Sequence, residues 1–169
     1  MNTCEICDGK GYIKINAIEH RTCICVKNKD IYKRYKDSGI PKKLLKHSLE
    51  DWNLKQNTLG EDLSPSQVKL KEDAFVMLSK IYDNEKFPFV PAKSGDNIIS
   101  SIIFSGSKNS GKSLCLSLLA KKAIENGASV KFYDWFDLCT TLERYDNKEE
   151  LVNTADEFKD NDLICIDGL

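Results

Sequence analysis

The amino-acid sequence predicts an α/β fold with a parallel sheet, preceded by a small cysteine-rich head and a basic helical linker. Three observations predict it. Four of the seven cysteines lie near the start of the chain, and a lysine-rich stretch follows them. Apolar segments of strand length then alternate with segments of helical periodicity, an order that gives parallel strands with helical crossovers. We therefore expect a head at 1–28, a linker at 29–63 and an α/β domain at 64–169.

The bulk composition is that of a globular chain. Hydrophobic residues make up 41% of the sequence and charged residues 30%. No apolar run approaches the roughly 20 residues that a membrane-spanning helix needs, and the N-terminus lacks the basic start and apolar stretch of a signal peptide. We therefore expect a cytoplasmic protein without a membrane partner.

The charge is unevenly distributed, although the net charge is only −1. Residues 1–47 contain 11 Lys and Arg against 5 Asp and Glu, whereas residues 48–169 contain 14 against 21. A basic head is compatible with binding to nucleic acid or to an acidic protein surface. It is equally compatible with a lysine-rich face that contacts only solvent.

The first four cysteines have the spacing of a metal site. Cys4 and Cys7 form a C-x-x-C pair, and Cys23 and Cys25 form a C-x-C pair after 15 intervening residues. Four thiolates in two close pairs suit a tetrahedral Zn²⁺ ion. A head this short cannot bury enough apolar surface to fold unaided, so a structural zinc would supply the missing stability. An iron–sulfur cluster and redox-active thiols are the alternatives.

The rest of the head and the other cysteines have simpler interpretations. Residues 12–15 are typical of a strand, and 19–21 are expected at the tip of a hairpin. Cys115, Cys139 and Cys165 fall in apolar segments, where we expect them to be small core residues.

Two short helices are expected in the linker. The first covers 30–36 and ends at Ser-Gly-Ile-Pro (38–41), because glycine caps a helix and proline cannot continue one. The second covers 42–47. Trp52 then stands in a polar stretch. An isolated tryptophan requires a pocket, either in the core beneath a loop or at a contact with a partner.

The α/β domain is expected to begin with a helix. Ser64 is the predicted N-cap, Pro65 occupies the first helical position and Gln67 completes a capping box. Apolar residues at helical spacing follow as far as Ile81, and we assign no chemistry to this helix.

The segment 106–113 reads G-x-x-x-x-G-K-S, the phosphate-binding loop of nucleoside triphosphatases. It lies between a predicted strand at 98–104 and a predicted helix that ends at Asn-Gly (126–127). In that setting, backbone N–H groups and the positive end of the helix converge on phosphate oxygens. The alternative is a serine-rich turn that matches the motif by chance. The expected nucleotide-binding residues are Gly106, Ser107, Lys108, Asn109, Ser110, Gly111, Lys112, Ser113 and Leu114.

Lys112 and Ser113 have specific expected roles in this loop, and Asp167 is expected to act with them. Lys112 is expected to bind the β- and γ-phosphates, and the Ser113 hydroxyl to complete a Mg²⁺ shell. The apolar strand predicted at 163–167, beside the strand of the loop, ends in Asp167. Lys112 and Asp167 are therefore the candidate catalytic residues, and Ser113 and Asp167 the candidate magnesium ligands.

Two features leave hydrolysis open. Many ATPases of this kind carry a second acid after the aspartate to polarise the attacking water, but here the next residue is Gly168. A doubly wound sheet also needs about two further strands after residue 169. The fold class that we expect is thus a P-loop NTPase sheet, AAA+ or RecA-like, that is C-terminally incomplete.

Taken in order, these marks resemble the DnaC/DnaI-type replicative helicase loaders. They are the C-x-x-C-x-G-x-G…C-x-C head, Ser-Gly-Ile-Pro at 38–41, Trp52, the loop at 106–113 and Leu-Ile-Cys-Ile-Asp at 163–167. The resemblance covers nearly the whole chain, and 127–144 is similar to the second strand of the family and the helix after it.

The resemblance implies a bacterial or phage-encoded AAA+ ATPase that binds ATP and Mg²⁺, contacts single-stranded DNA and helps to place a hexameric helicase on it. Self-assembly on ATP binding is part of that expectation, as is contact between the N-terminal head and the helicase. By matching position, zinc would be held by the four head cysteines, phosphate by 106–113 and Mg²⁺ by Asp167. The family carries an acid at the position of Gly168 and an arginine finger beyond residue 169, which Arg144 does not replace.

Three other functions fit parts of the sequence. An IstB-type transposition ATPase shares the fold, but such proteins usually lack a cysteine head. A non-hydrolysing adaptor would use the head for a partner and the nucleotide domain as a switch, in line with Gly168. A small-molecule kinase has the same loop, but neither the zinc head nor the basic linker favours it.

Overall fold

The computed structural model describes residues 4–56, 59–83, 102–143 and 148–168. The elements, in chain order, are β1 (Tyr12–Lys14), β2 (His20–Thr22), α1 (Ile24–Lys27), α2 (Lys29–Asp37), α3 (Lys42–Leu45), α4 (Pro65–Asp83), α5 (Lys112–Glu125), β3 (Val130–Asp134), α6 (Trp135–Glu143), α7 (Lys148–Asp160) and β4 (Leu163–Asp167). In these ranges no helix combines the length and the apolar character that crossing a membrane requires.

The head contains a small antiparallel hairpin. Strand β1 pairs with β2, with Tyr12 opposite Thr22. The side-chain oxygen of Asn16 accepts hydrogen bonds from the backbone N–H groups of Ile18 and Glu19 at 2.9 and 2.8 Å, which forms the turn. The tip predicted at 19–21 is therefore wrong, because the asparagine turns the chain earlier and residues 20 and 21 belong to β2.

The linker forms the expected helices with small differences in length. The Asn28 side chain caps α2 by accepting from the N–H groups of Asp30 and Ile31, both at 3.1 Å. The helix ends before Gly39, which has φ +81°. Helix α3 ends two residues before the predicted boundary at His47. A 3-10 turn at Leu49–Asp51, which the sequence analysis did not predict, follows.

Helices α4 and α5 begin and end where their local signals indicate. The backbone N–H and hydroxyl of Ser64 donate to the Gln67 side chain at 2.9 and 2.8 Å at the start of α4. At the end of α5, Gly127 has φ +99° and the N–H of Ala128 donates to the carbonyl of Ala123 at 2.9 Å. This is the glycine-terminated helix end that the Asn-Gly pair predicts.

The α/β part contains a pair of parallel strands. Strand β3 pairs with β4 from Val130 opposite Leu163 to Asp134 opposite Asp167, so both aspartates lie at the carboxyl edge of the pair. Helices α6 and α7 form the crossover between the two strands. The alternation of strand and helix predicted for 129–167 is confirmed in this segment.

The strand predicted at 98–104 is not formed by those of its residues that the structure describes. Residues 102–104 are in no strand, and Ile103 is 86% exposed. Residues 98–101 lie outside the described residues, as does Arg144. Within the described ranges, Asp167 is therefore beside β3 and not beside a strand of the loop. The P-loop type of sheet remains a prediction.

A single cluster of buried side chains runs through the head, the linker and the α/β part. Its members include Ile6, Cys23, Tyr35, Ile40, Trp52, Leu119, Ala123, Phe132 and Cys165. The expectation that Cys115 and Cys165 are core residues is confirmed, whereas Cys139 is only half-buried. The helical periodicity of 135–144 predicts Phe136 and Leu138 toward the core; Leu138 is buried, but Phe136 is 76% exposed. Positions two apart on a helix lie about 200° apart, so Phe136 and Leu138 cannot both face the core.

The linker packs directly on α5 and β3. The backbone N–H of Phe132 donates to the carbonyl of Ser38 at 2.7 Å. The guanidinium of Arg34 donates to the carbonyls of Ile124 and Gly127 at 2.9 and 2.8 Å, at the C-terminal end of α5. The ammonium of the buried Lys121 donates to backbone carbonyls at the end of α3 and just after it. These bonds hold the linker against the helix that follows the loop.

Candidate functional site

The four cysteines of the head form a cluster that could hold a metal ion. Their sulfur atoms all lie within 4.8 Å of one another, with Cys4 and Cys23 at 3.9 Å and Cys7 and Cys25 at 3.7 Å. Tetrahedral thiolate ligands at Zn–S distances of about 2.3 Å would be separated by roughly 3.8 Å. The predicted ligand set is thus brought together with the spacing that a tetrahedral ion requires.

Local structure explains how the cysteines converge. The first pair precedes β1, whereas Cys23 lies between β2 and α1 and Cys25 lies in the first turn of α1, so the hairpin returns the chain to its start. Gly11, with φ +78°, lets its N–H donate to the Cys7 sulfur at 3.2 Å. The cluster also contacts the linker through Tyr32, whose hydroxyl accepts from the N–H of Glu5 at 3.1 Å.

The thiols differ in how readily they ionise. Burial opposes ionisation of Cys4, but hydrogen bonds from the Tyr32 hydroxyl and from nearby backbone N–H groups lower its pKa to about 7. Burial raises the pKa of Cys23 and of Cys25. Four thiolates in one place repel each other, so a cation among them is what would let all four lose their protons.

The predicted phosphate loop is curled at the start of α5. Gly106, Asn109 and Gly111 have φ values of +152°, +64° and +98°, which turn the chain tightly. Gly111 precedes the first residue of α5 and offers no capping side chain. The N–H groups of the first helical turn are therefore available to an anion.

The side chain of Lys112 folds back over the loop. Its ammonium donates to the carbonyls of Gly106 and Ser107 at 2.9 and 2.8 Å. This contact keeps the positive charge at the mouth of the loop, among the backbone groups that the sequence predicts to surround phosphate.

Ser113 and Asp167, the two predicted magnesium ligands, are in contact. The Ser113 hydroxyl donates to the Asp167 carboxylate at 2.9 Å, across 54 positions of sequence. Helix α5 presents the hydroxyl from its first turn, and β4 presents the carboxylate from its last residue. Hydroxyl and carboxylate oxygens are ligands that suit Mg²⁺.

Trp52 is a residue of this site that the sequence analysis did not assign to the loop. It is buried, and its indole nitrogen would lie 3.1 Å from a Cβ added at Gly111. The sequence signal was its isolation in a polar stretch, which predicted a pocket but not the pocket's location.

Gly168 has no side chain beside Asp134 and Asp167, which lie opposite each other at the ends of β3 and β4. It has φ +89°, and a Cβ added there would meet the Asp134 carboxylate and the Trp135 side chain at 3.9 Å. A residue other than glycine would be strained in this conformation. The acid that many ATPases carry after the strand aspartate is therefore absent at this position by sequence and disfavoured by backbone geometry.

Comparisons with known proteins assign no family to the chain. It matches no protein-family model, no curated protein and no solved structure. The geometry of the two sites and the motifs that form them are therefore the features that indicate a function.

Proposed function

We propose that this chain binds ATP and Mg²⁺ on the loop at 106–113 and acts as a loader of a replicative helicase. The observation that most directly supports nucleotide binding is the 2.9 Å hydrogen bond between Ser113 and Asp167. It joins the last residue of the G-x-x-x-x-G-K-S motif to an aspartate at the end of a parallel strand. These two residue types meet in this way in nucleotide-binding sites that use a metal ion.

The roles of the residues follow from their positions. Backbone N–H groups of the loop and of the first turn of α5 would bind phosphate oxygens. The Lys112 ammonium would leave the carbonyls of Gly106 and Ser107 and bind phosphate in their place. Ser113 and Asp167 would hold Mg²⁺, which supplies positive charge to the phosphate oxygens. Gly168 can neither orient a water molecule nor accept its proton.

For the head we propose a structural zinc ion bound by Cys4, Cys7, Cys23 and Cys25. All four ligands come from the protein, so no coordination position is left for a substrate. Zinc fits better than a redox role for the thiols, because the sulfur atoms are spaced for a tetrahedral ion and three of the four cysteines are buried. The head would then be a folded platform for a partner.

Helicase loading is supported by the order of motifs along the chain. A cysteine head, a basic linker and a phosphate loop occur together in the loaders that the sequence resembles. In this chain the linker packs on α5, the helix that follows the loop. A partner bound to the head would therefore be connected to that helix through the linker. The proposed partners are a hexameric replicative helicase and single-stranded DNA, with self-assembly on ATP binding.

Nucleotide binding is tested by calorimetric titration of ATP with Mg²⁺ into the wild-type chain and two lysine variants. Lys112→Ala should lose measurable binding, while the cysteine head stays folded and retains its metal. Lys80→Ala, an exposed lysine on α4, removes the same charge elsewhere and should bind like the wild type. Equal affinity for ATP in Lys112→Ala and the wild type would refute the proposal.

The loader role is tested by co-sedimentation with a bacterial replicative helicase, with and without ATP. We expect ATP to strengthen complex formation in the wild type but not in Lys112→Ala. Capture of a transposase and no helicase would favour the transposition ATPase instead.

A non-hydrolysing adaptor is the second candidate, and the conformation of Gly168 favours it. In this version the helicase complex responds to ATP, but ATP is not turned over. Phosphate release measured with helicase and single-stranded DNA present distinguishes the two candidates. Turnover that is lost in Lys112→Ala would exclude the adaptor.

A further inference from the structure

The indole N–H of Trp52 is an unexplained feature at the phosphate loop. Trp52 is only 6% exposed, and within the described residues its Nε1 has no hydrogen-bond partner. It is the one buried side-chain nitrogen or oxygen in the described part of the chain with this property. Buried donors in native proteins almost always have an acceptor, so one without an acceptor requires an explanation.

The unpartnered nitrogen is directed at the loop. Of the indole atoms near a Cβ added at Gly111, Nε1 is the closest at 3.1 Å, with Cε2 at 3.7 Å and Cδ1 at 3.9 Å. Gly111 immediately precedes the first residue of α5, a helix of 14 residues whose first-turn N–H groups are available to an anion. A Cβ at this position would be strained at φ +98° and would crowd the indole, so the glycine lets the donor and the helix end lie close together.

The indole is held in this place from both sides along the chain. The Asp51 carboxylate before it accepts from the Ser48 N–H at 2.6 Å and from Arg21 at 3.0 Å. After it, the Lys71 ammonium donates to the carbonyls of Asn53 and Gln56 at 2.9 and 2.7 Å. Because the backbone on both sides is fixed, the indole cannot move far, and a hydrogen-bond acceptor for it must bind where the indole now lies.

We propose that Trp52 is a phosphate-binding residue whose indole N–H donates to an oxygen of the bound triphosphate. This inference rests on the proposed nucleotide binding and adds to it a donor from outside the loop motif. Indole N–H is a donor only, and a phosphate oxygen is an acceptor only, so the two groups are complementary. The acceptor would be a phosphate oxygen held at Gly111, where the loop meets the first turn of α5.

Arg21 gives this contact a connection to the cysteine cluster. It lies in β2, two residues before Cys23, and its guanidinium bonds the Asp51 carboxylate that precedes Trp52. The position of the phosphate-binding indole is therefore fixed in part by the head.

The first test uses fluorescence of the full chain. The sequence has two tryptophans, so in Trp135→Phe all tryptophan emission comes from Trp52. Magnesium tripolyphosphate should shift and quench its emission with saturation, and adenosine should leave it unchanged. A change with adenosine alone, or no change at tripolyphosphate concentrations that calorimetry shows to be saturating, would overturn the proposal.

The second test separates a binding role from a purely structural one. Trp52→Phe removes the N–H but keeps a smaller aromatic ring, so the relief of an unpartnered donor opposes the loss of buried area and the ligand-free protein should unfold at nearly the same temperature. Its affinity for magnesium tripolyphosphate should fall about tenfold. A lower melting temperature together with unchanged affinity would identify Trp52 as packing only. If the wild type binds neither ATP nor tripolyphosphate, nucleotide binding itself fails, which is a different result from unchanged affinity in Trp52→Phe.

Discussion

At the scale of single residues, the contact between Ser113 and Asp167 carries the most chemical information. A hydroxyl and a carboxylate that are 54 positions apart meet at 2.9 Å only because α5 begins where β4 ends. Neither residue is buried enough to need the other for core stability, since both side chains are half-buried. Their contact therefore argues for a binding role more than for a packing role.

The first prediction concerns this pair. In Asp167→Asn the charge that would attract Mg²⁺ is removed, so the gain in ATP affinity that Mg²⁺ produces should fall about tenfold or more. Binding of ATP in the absence of Mg²⁺ should change little, because the loop amides and Lys112 remain. Titrations with Mg²⁺ and with a chelator measure both quantities. Asp137→Asn, an exposed acid on α6, is the control, and an effect of equal size in that variant would contradict the prediction.

The second prediction is a pH dependence that belongs to Lys121. Burial lowers its pKa to about 8, with Glu125 favouring the charged form. Between pH 8 and the ordinary value of 10.5, the unfolded chain holds a proton that the folded chain has lost, so the contribution of Lys121 to stability rises with pH. The stability of the wild type relative to Lys121→Met should improve by about 2 kcal/mol from pH 7 to pH 9.5.

Urea unfolding of both proteins at the two pH values measures that difference. Comparing two proteins is necessary because burial raises the pKa of Cys115 and of Cys165 to about 12, which lowers the stability of both at alkaline pH. Both thiols are present in the variant, so their effect cancels. A difference that stays constant or shrinks with pH would show that Lys121 remains charged when buried.

At the scale of elements, the main feature is how the linker joins α5 and β3. The residues between α2 and α3 lie against β3, where the Ser38 carbonyl accepts from the Phe132 N–H at 2.7 Å. The same approach brings Gly39 so close that an added Cβ would lie 2.8 Å from the Phe132 carbonyl oxygen. The linker is therefore fitted to the strand at backbone level.

The third prediction compares two glycines with the same φ of +81°. Gly60→Ala should destabilise the fold by about 1 kcal/mol, through backbone strain alone, because an added Cβ meets nothing within 4 Å. Gly39→Ala adds a collision with the β3 backbone and should cost about 2–4 kcal/mol in total. The urea midpoints of the two variants measure the difference. Equal midpoints would mean that the linker does not sit against β3 in solution.

At the scale of the whole molecule, local sequence signals predicted several helix boundaries, whereas the contacts that pack the linker on α5 could not be predicted. Ser64 and the Asn-Gly pair at 126–127 act on their own neighbours, so their helix boundaries were readable. Lys121 and Arg34 instead bond carbonyls about 75 to 90 positions away. Lysine is usually exposed, and no local pattern marks Lys71 and Lys121, the two that are buried among the described residues. The motif residues of both sites were predicted, and Trp52 was not placed at the loop for the same reason.

The fourth prediction is that the cysteine cluster stabilises the whole chain and not only the head. Buried head residues such as Ile6 and Cys23 belong to the same cluster as Tyr35, Leu119 and Phe132. A structural metal that contributes about 3 kcal/mol should therefore shift a single melting transition by roughly 6–12 °C. In Cys4→Ser, which loses one ligand, we expect loss of the metal, a lower melting temperature and faster amide exchange in α5.

Metal analysis, calorimetry and hydrogen exchange on Cys4→Ser and Cys139→Ser measure these effects together. Cys139 is half-buried on α6 and is not one of the four clustered cysteines, so its variant controls for the loss of a thiol. One zinc per chain is expected in the wild type and in Cys139→Ser. If Cys4→Ser loses its zinc while α5 keeps its protection and the main transition is unmoved, the head folds independently. In that case Arg21 and Tyr32 do not transmit its state to the loop, and nucleotide affinity should be independent of zinc.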